Sequence, residues 1–189
     1  PLPGSIVEGY ESPIPFLLQI LRDLLIDKNG LSSIGIFRLA PQQDHCEQVK
    51  QDINKGLLLG QDAPRDNEGK IIFDYEVHVI ANLIKVWLRE LPVPLLHHID
   101  RKRVESCTNA EQAWDILLSL PQPFKSVTEY LVDFLSVVAA YKNINRMSAG
   151  TLAICFCPNL FHSDPLDTMA TLVFTQKISK WFTMVIEYR

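Results

Sequence analysis

The sequence VHVIANLIKVWLRELPVPLL, residues 77–96, contains the clearest helical period of the chain and a signal that ends the helix abruptly. Pro92 and Pro94 provide that end, since a proline ring removes a backbone donor and clashes with the preceding turn. The pattern predicts an amphipathic helix from Asp74 or Tyr75 to Leu91. Its apolar stripe has the three- and four-residue spacing of one helix side and consists of Val77, Ile80, Leu83, Ile84, Trp87, Leu88 and Leu91.

Helical spacing also appears before and after this stretch. Apolar residues recur three and four positions apart in residues 14–25 and, more sparsely, from Pro41 or Gln42 to Asn54. Between these two predicted helices, residues 27–30 have turn chemistry and residues 32–40 show no period, so an ordered loop is predicted there. Further helices are predicted at residues 110–120, 124–141, 148–156 and 167–188.

The fold class predicted from these patterns is all-α, a single-domain helical bundle. No segment alternates apolar and polar residues between hairpin turns, and the sequence contains no internal repeat. Residues 71–73 are the only β-like trio, which is too short to change the class. The polar residues 60–70 contain Gly and Pro and are predicted to form the most flexible surface loop.

The composition is that of an ordinary globular domain. With 189 residues the chain is long enough for one core, and 47% hydrophobic and 21% charged residues indicate neither disorder nor a membrane protein. The formal net charge of -4 provides no basic surface for a phosphate backbone. Nucleic acid is therefore not expected as a partner.

Cysteine usage and hydropathy indicate the compartment. The four cysteines are scattered in a chain too long for a disulfide scaffold, so reduced thiols are expected. No apolar run reaches the roughly 18–20 residues of a membrane span. Residues 1–10 have neither the basic start nor the apolar middle of a signal peptide. We expect a cytoplasmic location, with any recruitment to membranes left to parts of the parent protein outside this chain.

Neither a metal site nor a self-contained active site is expected. His45 beside Cys46 and the pair at residues 97–98 have the residue types of metal ligands, but no second cluster with ligand spacing follows them. The sequence also lacks a phosphate-cradling Gly-Lys-Ser/Thr loop and a nucleophile elbow. An enzyme with its own substrate is therefore not indicated.

The polar side of the central helix carries two cations one turn apart. Lys85 and Arg89 are four residues apart, so their side chains share a face and reach toward one target. From spacing alone, a solvated helix face is the ordinary interpretation of such a pair. The sequence around the two cations is what favours a functional role.

Three blocks along the chain, at residues 35–38, 77–96 and 145–160, resemble the RhoGAP family in their order. Residues 77–96 are similar to its central block, and Gly35-Ile36-Phe37-Arg38 looks like its finger loop. Asn145-Arg146-Met147, with Leu152-Ala153 and Phe156-Cys157-Pro158-Asn159-Leu160, looks like its late helix and the turn that follows. Three ordered motifs are far more specific than any single one. The resemblance extends from about Pro13 to the last helix.

The resemblance implies a helical bundle of the RhoGAP type. Such a domain binds a GTP-loaded small GTPase of the Rho, Rac or Cdc42 kind and accelerates hydrolysis of the bound GTP. Arg38 matches the family's catalytic arginine finger. Without the flanking motifs, an arginine in a loop would be interpreted as an exposed residue with no functional role. Lys85 matches a lysine that contacts the GTPase, and Arg89 one that holds the finger loop. Asn159 matches an asparagine that contacts the partner's switch region.

The same resemblance implies that the domain has no cofactor of its own, because the partner GTPase holds GTP and Mg²⁺, and a monomer is expected. Residues 1–189 are expected to be a single RhoGAP-like domain of a larger multidomain protein. The chain departs from the family pattern at Leu39-Ala40-Pro41, Thr151 and Cys157. These departures leave open a second hypothesis, a module of the same fold that binds a GTPase or another protein without activating it.

Overall fold

The structure, a computed structural model, describes residues 3–56, 67, 75–161 and 168–189, with the side chains of residues 168–170 left out. Its α-helices are α1 Phe16–Asp27, α2 Gln43–Asn54, α3 Val77–Arg89, α4 Arg101–Ser106, α5 Ala110–Leu118, α6 Phe124–Ala140, α7 Lys142–Asn145, α8 Ala149–Phe156 and α9 Thr168–Tyr188. Two single 3₁₀ turns cover Gly30–Ser32 and Cys157–Asn159. The strands β1 Gly4–Ser5 and β2 Ile14–Pro15 form a small antiparallel pair.

The all-α class is confirmed, and each helix predicted from periodicity is present with ends that differ by a few residues. The second helix begins at Gln43 instead of Pro41 or Gln42, because Gln42 has an extended backbone and forms the cap. Helices α4 and α7 are too short to show a period, and so are β1 and β2. Apart from Asn67, the predicted loop 60–70 and the trio 71–73 lie outside the described residues.

Helix α9 organises the core of the described bundle. It packs against α4, α5, α6 and α8, and the side chains of Ile178, Trp181, Phe182 and Val185 are fully buried. The indole Nε1 of Trp181 donates to the carbonyl of Ala113 at 3.0 Å, so the large ring is buried without an unpaired donor. Among the described residues, no helix has the length and apolar character needed to cross a bilayer.

Helix α3 carries the predicted apolar stripe and connects the core to the candidate site. Ile80, Leu83, Ile84 and Leu88 are buried, and the helix packs against α1, α2 and the turn Cys157–Asn159. Lys85 and Arg89 lie on the side of α3 that this packing leaves partly open. The stripe therefore fixes the direction in which the two cations project.

Candidate functional site

The loop of residues 30–40, called the finger loop below, turns sharply at Gly35. The φ angle of Gly35 is 69°, a left-handed conformation that residues with a side chain rarely adopt. An added Cβ there would lie 2.8 Å from Cγ of Leu39, so the space above the glycine is already filled. Glycine at this position thus serves both the backbone angle and the close approach of Leu39.

Phe37 also has a left-handed backbone, with a φ angle of 68°. Such an angle is strained for a bulky residue and persists only when the surroundings enforce it. Here the ring is 1% exposed and packs edge-on against Phe156 and Phe134, with centroids 4.9 Å and 6.0 Å away. Burial of the ring holds the residue that immediately precedes Arg38.

Arg38 extends from this fixed backbone into solvent. Its main-chain N–H donates to the carbonyl of Gly35 at 2.9 Å, which closes a tight turn. The side chain is exposed and makes no hydrogen bond or ion pair with the part of the chain that the structure describes. A guanidinium that is presented in this way is available to a partner molecule.

Lys85 binds the main chain of the finger loop. Its Nζ donates to the carbonyl of Phe37 at 2.7 Å, and the side chain is half-buried. Burial lowers the pKa of the Lys85 ammonium, and the neighbouring charge of Arg89 acts in the same direction. The family resemblance gave the contact with the finger loop to Arg89, and in this structure Lys85 makes such a contact.

Arg89 contacts Asn159 instead of the described part of the finger loop. Nη1 of the exposed Arg89 donates to Oδ1 of Asn159 over 3.4 Å, a long hydrogen bond. Nδ2 of Asn159 donates to the carbonyl of Cys155 at 3.0 Å, which orients the amide. Cys157 has φ and ψ of -49° and -42°, so the turn needs no glycine there and the departure at this position causes no strain.

Cys155 lies close to these residues, and no sequence pattern singled it out. Burial raises the pKa of its thiol, while the positive charges of Lys85 and Arg38 act in the opposite direction. The main-chain carbonyl of Cys155 also accepts the hydrogen bond from Nδ2 of Asn159, so the last turn of α8 orients Asn159. Contacts among the finger loop, α3, α8 and the turn Cys157–Asn159 thus link the four predicted site residues, with Arg38 joined through the carbonyl of Phe37.

The described residues contain no group of three His, Cys, Asp or Glu side chains placed to hold a metal ion. The ring of His98 instead packs edge-on against His97 and Phe124, each 4.8 Å away. All four cysteines are free thiols.

Comparison with known proteins assigns this chain to a family. A family model described as the RhoGAP domain matches residues 15–165. The chain belongs to the RhoGAP domain family. It is a Rho GTPase-activating protein domain.

Curated relatives agree with the RhoGAP assignment. The chain is 30% identical over 182 residues to Rho GTPase-activating protein gacA of Dictyostelium discoideum, which covers 96% of this chain and 49% of the relative. It is 29% identical over 171 residues to Rho GTPase-activating protein 5 of Arabidopsis thaliana, covering 90% and 48%. The chain thus spans about half the length of these relatives.

Solved structures confirm the RhoGAP fold. The crystal structure of human Rho GTPase activating protein 15 superposes with a TM-score of 0.74 at 19% identity, covering 93% of this chain and 82% of that chain. The BH domain of GRAF, the GTPase regulator associated with focal adhesion kinase, superposes with a TM-score of 0.71 at 19% identity, covering 90% and 89%. At this identity the likeness shows the fold alone.

Proposed function

We propose that this RhoGAP domain binds a GTP-loaded Rho-family GTPase and accelerates its GTP hydrolysis by inserting Arg38 beside the transferring phosphoryl group. The observation that carries the proposal is the contrast within two consecutive residues. Phe37 is buried in the core and strained, whereas the side chain of Arg38 is exposed. A rigid base with an exposed cation is what a group delivered to another protein's active site requires.

Arginine suits this task because the transition state of phosphoryl transfer spreads negative charge over several oxygens. The planar guanidinium stays charged and donates to two oxygens at once, which a lysine does not do. An arginine finger is worth roughly 10³- to 10⁵-fold in rate, on the order of 4–7 kcal/mol. GTP and Mg²⁺ would be held by the partner, and the domain needs no cofactor of its own.

Lys85, Arg89 and Asn159 form the remaining proposed partner-binding surface. The bond from Lys85 to the carbonyl of Phe37 supports a loop-holding role in addition to a contact with the GTPase. The bond from Arg89 to Asn159 supports a joint role at the partner's switch region, because the arginine constrains the amide oxygen. We further infer that the domain acts as a monomer in the cytoplasm, where four free thiols would stay reduced.

A single-turnover GTP hydrolysis assay with Rho-, Rac-, Cdc42- and Ras-type GTPases tests the proposal. Arg38→Ala should remove most of the stimulation, and binding should change by no more than about threefold, because the finger acts chiefly in the transition state. Arg38→Lys should recover little, since it restores the charge but not the planar fork. Arg103→Ala, which removes another exposed arginine on α4, is the control. Full stimulation by Arg38→Ala would refute the proposal.

A second candidate function is supported by the residues that follow Arg38. Leu39 is 49% exposed and covers Gly35. The family pattern has a small polar residue at the position of Leu39. If Leu39 blocks insertion of the finger, the domain binds a GTPase without activating it. Co-purification with a GTP-loaded GTPase, combined with unchanged hydrolysis in the same samples, would select this function over the first.

A further inference from the structure

The main chain that carries Arg38 is bound to Asn145, a residue with no role assigned so far. Asn145 is 0% exposed and ends helix α7. Its main-chain carbonyl accepts the N–H of Gly35 at 2.7 Å, and the carbonyl of Gly35 accepts the N–H groups of Arg38 and Leu39, both at 2.9 Å. Two consecutive hydrogen bonds therefore connect Asn145 to the backbone of the finger residue.

The side chain of Asn145 fixes the same region from a second direction. Nδ2 donates to the carbonyls of Leu31 and Val138, each at 2.9 Å, and Oδ1 accepts the N–H of Met147 at 2.8 Å. Leu31 belongs to the start of the finger loop, Val138 to α6, and Met147 to the segment before α8. The amide thus joins the loop to α6, which carries Phe134, and to the segment that leads into α8, which carries Phe156.

Only an asparagine meets these requirements at this position. The site demands two donors toward carbonyl oxygens and one acceptor toward an N–H, which is the inventory of a primary amide. An aspartate of the same shape would place a second oxygen against the carbonyls of Leu31 and Val138. Loss of these hydrogen bonds is costly because it leaves polar groups in and beside the core without their partners.

We propose that Asn145 is the positioning residue that fixes the main chain from which Arg38 projects, and hence the direction of its side chain. Asn145 reaches Arg38 through Gly35, whereas Lys85 holds the carbonyl of Phe37. The backbone of the finger is thereby fixed at both ends of its tight turn. This inference rests on the proposed function, because it concerns how Arg38 is aimed at the partner's nucleotide.

A double-mutant cycle separates positioning from general stability. Asn145→Asp should lower the maximal single-turnover rate at saturating domain by roughly 10- to 100-fold, because a displaced catalytic group loses its geometry. Affinity for the GTP-loaded GTPase should stay within about threefold, since the docking surface is intact. In an Arg38→Ala background, the same substitution should cause no further loss of rate, because the residue it positions is gone.

Thr128→Val is the matched control, since Thr128 is also 0% exposed and donates to a carbonyl, that of Phe124, at 2.7 Å. It should lower the melting temperature while leaving the maximal rate unchanged. If Asn145→Asp does not fold, Asn145→Ser retains one donor and takes its place. An unchanged rate in the folded variant, or an equal further loss in the Arg38→Ala background, would overturn the inference.

Amide hydrogen exchange of the free domain provides a readout that needs no GTPase. The N–H groups of Gly35 and Arg38 should exchange faster in Asn145→Asp than in the parent chain, whereas those of α9 should not. If the unsubstituted domain stimulates no GTPase, the proposed function fails independently of this inference. Hydrogen exchange alone then tests whether Asn145 holds the finger loop. Unchanged protection at Gly35 would then overturn it, and lost protection would support it.

Discussion

Lys85 lies beneath the finger loop with its ammonium bound to a main-chain carbonyl, while Arg89, one turn further along α3, contacts Asn159. Helical spacing predicted that the two side chains share a face, and the family resemblance gave both of them a place in the site. The resemblance gave the loop contact to Arg89, whereas in the structure Lys85 contacts the main chain of the loop and Arg89 contacts Asn159. Which of them meets the loop depends on how the carbonyl of Phe37 lies across α3, and helical spacing contains no such information.

The division of labour between these two cations is testable. Lys85→Met should lower the maximal stimulated rate by roughly tenfold with a small change in affinity, because the carbonyl of Phe37 loses its donor. Arg89→Ala should instead weaken binding more than turnover, because it frees the amide of Asn159. Titration of the GTPase in single-turnover experiments measures both quantities, with Lys102→Met on α4 as the control. Equal losses of rate and affinity in both variants would contradict this assignment.

The finger loop as an element combines a strained backbone with tight packing. Gly35 and Phe37 both have φ angles near 70°, and Leu39 fills the space over Gly35. The sequence predicted an ordered loop at residues 32–40 from the missing period alone. It did not predict the left-handed Phe37, because that conformation arises from the burial of its ring among Phe134 and Phe156.

Gly35→Ala tests this element. The new Cβ combines an unfavourable backbone angle with a close contact to Leu39, so we expect a loss of about 1–2 kcal/mol in unfolding free energy and a lower stimulated rate. Gly56→Ala is the matched control, because its φ is 80° but an added Cβ meets no described atom within 4 Å. It should reduce stability by a similar amount and leave the rate unchanged. Chemical denaturation and hydrolysis assays compare the two, and equal rates would argue against a demand for exact loop geometry.

At the scale of the molecule, α9 supports the site without forming it. The long helices followed from periodicity, since each must bury one side. Helices α4 and α7, by contrast, depend on tertiary contacts that a local pattern does not reveal. Asn145 is an example of the same limit, because its partners are contributed by segments far apart in the sequence, with Leu31 at a separation of 114 residues.

Trp181→Phe tests the supporting role of α9. Loss of the indole N–H leaves the carbonyl of Ala113 without this donor, which should cost about 1–3 kcal/mol. The melting temperature should fall by roughly 5 °C, since each kcal/mol corresponds to about 2–4 °C in a domain of this size. The stimulated rate at low temperature should not change. Trp114→Phe, in a partly buried ring beside Tyr188, should cost less. A rate loss for Trp181→Phe at low temperature would show that α9 shapes the site directly.

The attachment of the finger loop at Asn145, Phe37 and Lys85 also has a consequence for the thermodynamics of association. The loop backbone loses its conformational freedom when the domain folds, so that entropy is not lost a second time when a GTPase docks. Docking then has to immobilise mainly the side chain of Arg38. Association should accordingly be close to rigid-body docking on the side of this domain, with a fast on-rate and little structural change in the finger loop.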